Sequence, residues 1–343
     1  MTAVAPHHQR AFCKVIIAGE DVTTRLNPRL LSLIVLNKFD GVDEAHIELD
    51  DRYGQIKMPE DQDQIEIELG WPEEGSFLVF KGVVQDLESA GQKRGGRTMT
   101  IIAFETDLLK HVKTQMRWSE GDGTEDVKLD KALQTAAGLA NMNVKVSPAL
   151  AQLSRKYFMG QNESFMAFGK RMAGEVGGVF KMSGDSATLS KPGENADGES
   201  MGEATATVGA NLIAWRVRPR IARAKWAAAG HMHFDPMKAA WDLVKSDVSG
   251  GGTFSALAKF TGVGPQADKD TSQQQADSDA VSSRENAGTG WVVVDGNPQA
   301  RPNGKVTIVG ARNGVDGSYL ITDVEHNYSA QQGYTTRIDF INS

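Results

Sequence analysis

From Phe12 to Phe104 apolar and polar positions alternate in short runs. Ala45, Ile47 and Leu49 interleave with His46 and Glu48, and Ile65, Ile67 and Leu69 with Glu66 and Glu68. A period of two gives each run one core face and one wet face, so pleating accounts for the carboxylates. Phe77 to Val84 and Thr98 to Phe104 flank the glycine-rich, basic stretch Gly91 to Arg97, which predicts a hairpin with a basic tip. That stretch lacks the strand-then-helix setting of a phosphate loop. The expectation is a small β-barrel that closes its own hydrogen-bond ladder.

The period then lengthens. Leu129, Leu133, Ala136, Ala137 and Ala140 share one helical face, and Phe165, Phe168, Met172 and Val176 share another, with Asn162 as the expected N-cap. These stripes are read as core rather than as cofactor contacts. Gly177-Gly178 ends the second helix, and the next segment reads as a hairpin turning at Gly184-Asp185.

The polar, glycine-rich segment from Gly193 to Gly209 is read as a joining loop. Leu212 to Trp226 supplies one long or two short strands, with Pro219 at an edge or a break. Asp235-Pro236 predicts a short helix carrying Met237, Ala240, Trp241, Val244 and Val248 and ending in Ser249 to Gly252. From about Gly262 to Gly290 the Gln, Asp, Ser and Ala content fits a loop or a weak helix. Trp291 to Val294, Lys305 to Val309, Tyr319 to His326 and Tyr334 to Ile341 are four further strands, with glycine turns at Gly314, Gly317 and Gly333.

The expected fold is therefore mainly β with an α+β insertion: two barrels, a mixed α/β domain and a variable helical or loop insertion. The expected divisions are 1–105 for the first barrel and 106–192 for the α+β domain. Then come 193–230 for a linker and first strands, 231–290 for the insertion, and 291–343 for the strands completing the second barrel. A chain of 343 residues exceeds the usual span of one core, in keeping with this division.

Composition narrows the function classes. A formal charge of −7 opposes general duplex binding, which needs clustered Lys and Arg. The densest basic run, RVRPRIARAK from Arg216 to Lys225, alternates with apolar residues and fits a solvated strand face or a protein interface better than a nucleic-acid site. The single cysteine, Cys13, allows no intramolecular disulfide and is read as a small strand hydrophobe. The N-terminus lacks a signal-peptide core and no stretch reaches ~18 apolar residues, so synthesis in the cytosol is expected.

The segment GNPQARPNGKVTIVGARNGVDGSYLITDVEHNYSAQQGYTTRIDF resembles the end of phage late control D proteins, the baseplate hubs of contractile tails. QNESFMAFGKRMAGEVGGVFKMSGDSATL is similar to that family's helix and hairpin, and LDDRYGQI with IEIELGW to its first barrel. The resemblance weakens between about Trp226 and Gly290. It implies two tail-tube-like barrels per chain and a homotrimeric ring of pseudo-six-fold symmetry, adapting a six-fold tail tube to a three-fold central spike. The implied partners are the spike, tail tube, tape measure and baseplate wedge proteins, and DNA passes without specific binding. The implied place is the virion baseplate, assembled in the host cytoplasm. The alternatives are the hub of a non-phage injector, an R-type bacteriocin or type VI spike, and a tail-associated peptidoglycan hydrolase.

No enzyme, cofactor or metal site is expected. His231, His233 and Asp235 could lie on one side of a strand and contribute metal ligands, although further ligands are not marked. His326 is read as a hydrogen-bonding residue at a barrel end rather than a catalytic one. Glu120 and Asp122 are the carboxylates a wall-cutting glycosidase would need, but no module surrounds them.

Overall fold

A computed structural model of the chain describes residues 10–93, 96–107, 111–218, 226–248, 258–285 and 288–342. Six strands enclose the first core: β1 (Phe12–Ile17), β2 (Leu30–Lys38), β3 (Glu44–Asp50), β4 (Gln64–Trp71), β5 (Gly75–Gln92) and β6 (Gly96–Phe104). Ile47, Leu49, Ile65, Ile67 and Leu69 are fully buried there, as alternation predicts. A second set encloses another core: β7 (Glu203–Thr207), β8 (Leu212–Val217), β9 (Thr289–Asp295), β10 (Lys305–Val309), β11 (Gly317–Ser329) and β12 (Gly333–Asn342).

The two sets repeat one strand order. The first runs β2-β3-β6-β5-β4-β1 and the second β8-β9-β12-β11-β10-β7. Even the irregularities recur. β5 bulges against β6 between Val84 and Asp86, and β11 against β12 between Ile321 and Asp323. β2 bulges between Leu30 and Ser32, and β8 between Leu212 and Ala214. Only the outermost strand departs in direction, since β1 runs antiparallel to β4 and β7 parallel to β10.

The first barrel does not close on itself, contrary to the expectation from its turns. The free edge of β2 pairs instead with the far half of β11, from Asp323 opposite Lys38 to Tyr328 opposite Leu33. One thirteen-stranded sheet thus runs through both barrels. Tyr328 and Tyr334 of the second barrel accordingly pack in the first core.

The α+β domain packs helices Leu129–Leu139 and Phe165–Val176 on a sheet in which Asn143–Val146 runs parallel to Ser186–Ser190. Gly177 closes the second helix at φ 65°. The N-cap is Ser164, whose Oγ accepts from Ala167 N at 3.2 Å, and not Asn162. Strand pairing holds Phe158–Glu163 against Met116–Glu120, with a bulge between Gln161 and Glu163, so the helix starts at Phe165, two residues after Glu163.

Two further expectations are corrected. The segment after Gly193 contains β7, whose Ala204 and Ala206 are buried; small residues alternating with threonine give a weak hydrophobic signal. The helix expected at Asp235 is a β-hairpin, Ala228–Asp235 with Ala240–Asp247. The Asp235 carboxylate accepts from the Met237 and Lys238 amides, and Ala239 at φ 51° turns the chain back. Trp241 and Val244 fit a helical stripe and Trp241 and Leu243 a period of two, and the adjacent strand decides between them. Lys259–Gln266 joins this hairpin in parallel, and helix Lys269–Glu285 covers it. The tip residues Arg94-Gly95, the run 219–225 with Pro219, and the expected helix end Ser249 to Gly252 lie outside the described residues.

Candidate functional site

The places with the most varied chemistry are the junctions between units. Where the barrels meet, Trp71 Nε1 donates to the Gly296 carbonyl at 2.7 Å and its ring packs 5.9 Å from that of Tyr334. The Tyr334 hydroxyl lies 2.8 Å from His326 Nδ1, with Thr336 Oγ1 at 3.2 Å. His326 is fully buried, and burial together with Arg301 pushes it down to about 3, so it is neutral. It is a packing and hydrogen-bonding residue of the junction, away from solvent.

A second junction fastens the α+β domain. Hairpin Val179–Ser183 and Ser186–Ser190 lies over the β2–β3 loop, where Gly41 N donates to Phe180 O and Met182 N to Gly41 O at 3.2 and 3.0 Å. Lys181 forms an ion pair with Asp43 and lies 3.7 Å from Glu105. Asp43 also accepts from Lys38 N at 2.7 Å and Asn37 Nδ2 at 2.9 Å. Ser183 Oγ donates to Glu105 at 2.5 Å. Burial and the neighbouring Asp43 carboxylate push Glu105 up to about 7, with Lys181 opposing. From the second barrel, Arg301 donates to Leu78 O, and Asn303 donates to Glu194 O while accepting from Gly193 N. These groups line a cleft of about 600 Å³. The arrangement ties three units together.

The remaining sequence candidates are dispersed. His231 and His233 both face inward and are buried, and His231 Nε2 lies 2.7 Å from Asp279 of the covering helix. Asp235 turns instead to Lys238 and the turn amides, so the three do not converge. Among the described residues no group of three or more His, Cys, Asp or Glu could hold a metal ion. Cys13 is buried in β1 and burial raises its thiol to about 12. Glu120 binds Lys131 and Thr135, whereas Asp122 accepts from Thr124 in a turn. Glu66 and Glu68 pair with Lys81 and Lys14 on the outer face of β4. Among the described residues no helix is long and apolar enough to cross a membrane.

The resemblance implied two barrels per chain, and a signal for the duplication also lies in the residues themselves, although the reading of single runs did not use it. Val83-Val84-Gln85-Asp86-Leu87-Glu88 parallels Leu320-Ile321-Thr322-Asp323-Val324-Glu325, and Gly96-Arg97-Thr98 with Ile101 parallels Gly333-Tyr334-Thr335 with Ile338. The shared bulges align these residues position by position.

The fold has counterparts among solved structures. The chain is similar in fold to a tail protein of Neisseria meningitidis MC58, with TM-score 0.69 and 11% identity over 98% of this chain and 97% of that one. It is likewise similar to the 43 kDa tail protein of prophage MuSo2 from Shewanella oneidensis, with TM-score 0.67 and 12% identity over 97% and 98%. In sequence, it is 25% identical over 198 residues to the probable baseplate hub protein of Escherichia phage P2. That match takes in 56% of this chain and 49% of the P2 protein, so it spans about half the relative's length. No family model matches the chain. The resemblance to phage hub proteins read from the residues thus recurs in a sequence match, and the fold is shared with phage tail proteins.

Proposed function

We propose that this chain is the baseplate hub of a contractile phage tail, a structural ring component and not an enzyme. The observation that carries the reading is the duplicated barrel, whose two copies are joined by one unbroken ladder. A chain holding two equivalent units in series offers twice as many equivalent faces as copies. Three copies therefore match a six-fold tail tube on one side and a three-fold spike on the other. The sequence relative in phage P2 supports the phage reading over a bacteriocin or secretion hub. Tape measure and then DNA would pass through the ring, and a net charge of −7 favours passage over retention. The wedge proteins would surround it in the virion baseplate after assembly in the host cytoplasm.

The test is co-expression with the spike protein of the same tail, followed by native mass spectrometry. A complex with three hub chains is expected. A preparation containing only monomeric hub beside intact spike would overturn the reading.

A further inference from the structure

Helix Lys269–Glu285 lies between the three-stranded sheet of the insertion and the α+β domain. Its composition is at odds with that place. The residues it buries include Thr271, Ser272, Ala276, Ser278 and Ala280, whereas Val281, its largest apolar side chain, is 37% exposed. A helix that covers a sheet ordinarily turns an apolar stripe to it.

The sheet beneath is inverted in the same sense. Along strand Ala228–Asp235 alternation directs His231 and His233 to the helix, and Met232 and Phe234 to the other face. There Met232 stands opposite Leu243 and Phe234 opposite Trp241, all four exposed. These large apolar side chains of the hairpin therefore do nothing to hold the helix.

The polar groups at the covered face are incompletely paired. Ser272 Oγ, Gln274 Oε1 and Ser283 Oγ of the helix are buried without a hydrogen-bond partner, as are His231 Nδ1 and His233 Nδ1 of the strand. Each has lost water without gaining a partner, a cost that opening recovers. Against opening stand the 2.7 Å contact of His231 Nε2 with Asp279, the 2.7 Å bond from Ser278 Oγ to the Gly174 carbonyl, and the burial of two alanines. Little apolar burial set against several unpaired groups is the balance of an element that opens locally, ahead of the rest of the fold.

We propose that this helix is a releasable clasp, which lifts from the sheet as one unit and so loosens the insertion from the α+β domain. The neighbouring residues Ser278 and Asp279 are its two fastenings, one to each side. Once lifted, a polar helix of 17 residues is marginal in water, so the open state is unfolded there and uncovers both histidines. The clasp works within one chain and does not depend on the ring reading.

The test treats the full chain with diethyl pyrocarbonate, which acylates neutral imidazoles that solvent reaches, and reads each histidine by peptide mass mapping. His231 and His233 should react in step, more slowly than the partly exposed His46 and faster than His326, which is fully buried at the barrel junction. A Cβ built on Gly177 lies 3.7 Å from Ser278 Cβ, within the span of a disulfide. Gly177→Cys with Ser278→Cys should therefore fasten the clasp on oxidation and slow both histidines by at least about tenfold, and reduction should restore the faster rate.

A cysteine at Gly177, with φ 65°, is strained, so hydrogen exchange supplies a measurement on the unaltered chain. Amides from Gln273 to Val281 should exchange together, at least about tenfold faster than those inside helix Phe165–Val176. Ser272→Ala, which removes an unpartnered hydroxyl, should slow that exchange, and Asp279→Ala should speed it. Helix amides as protected as those of Phe165–Val176, with both histidines as inert as His326, would overturn the clasp. So would acylation that the 177–278 cross-link leaves unchanged.

Discussion

Glu105→Gln tests the fastening of the α+β domain. Glutamine keeps the shape of the side chain, can still accept from Ser183 and can donate to Asp43, so the substitution removes chiefly the ionisation. An ordinary value of 4.5 against about 7 in the fold means the folded chain binds the extra proton between those limits. The sign follows: this contribution is complete below about 4.5 and is lost as the pH rises through about 7.

Each unit of displacement is about 1.4 kcal/mol. Linkage then gives a loss of about 1.4 kcal/mol by pH 5.5 and about 3.3 kcal/mol by pH 8, a difference of about 2 kcal/mol. Urea unfolding of both proteins at the two pH values measures it. The variant's stability relative to the parent should rise by about 2 kcal/mol between pH 5.5 and pH 8. Comparing the two proteins at each pH cancels other titrations, including that of His326, which runs the opposite way. A relative stability constant to within about 0.5 kcal/mol would refute the assignment of a raised Glu105 to this junction.

Further perturbations probe the other contacts. His326→Gln should flatten the acid side of the stability profile: a histidine held at about 3 contributes stability above its ordinary 6.5 and loses it as the pH falls. The loss it removes is about 1.4 kcal/mol at pH 5.5, read by the same unfolding series. Leu33→Ala, in a fully buried position of β2 beside the inter-barrel ladder, should cost about 2–5 kcal/mol and lower the denaturation midpoint. Ser164→Ala should cost about 1 kcal/mol through loss of the cap to Ala167, whereas Asn162→Ala should leave no capping deficit. Gly169→Ala would set a Cβ 2.3 Å from the Phe180 ring, and calorimetry should show a destabilisation of about 1–3 kcal/mol from overpacking.

Much of this molecule is legible in local sequence. Alternation at Ala45 to Leu49 and Ile65 to Leu69 determines which face of each strand is buried, because the side-chain period of a strand is a property of its own backbone. The helices at Leu129 and Phe165, the glycine stop at Gly177 and the four C-terminal strands follow from equally local causes. The hub-like character was also present in the residues.

Partner choice was not. An alternating strand states which face it buries and leaves open which strand lies at its edge. The pairing of β2 with β11, some 290 residues apart, therefore depends on the folded barrels and on no residue pattern within β2. The same indifference let Trp241 and Val244 read as helix, until pairing with Ala228–Asp235 set them in a strand. It hid Glu105 and Lys181, each unremarkable in its own segment and charged with meaning only where the hairpin meets the barrel. The sequence by itself determined the elements and their buried faces; tertiary structure decided which edges meet. Backbone hydrogen bonds join strands regardless of side chain, and long-range packing alone selects the partner.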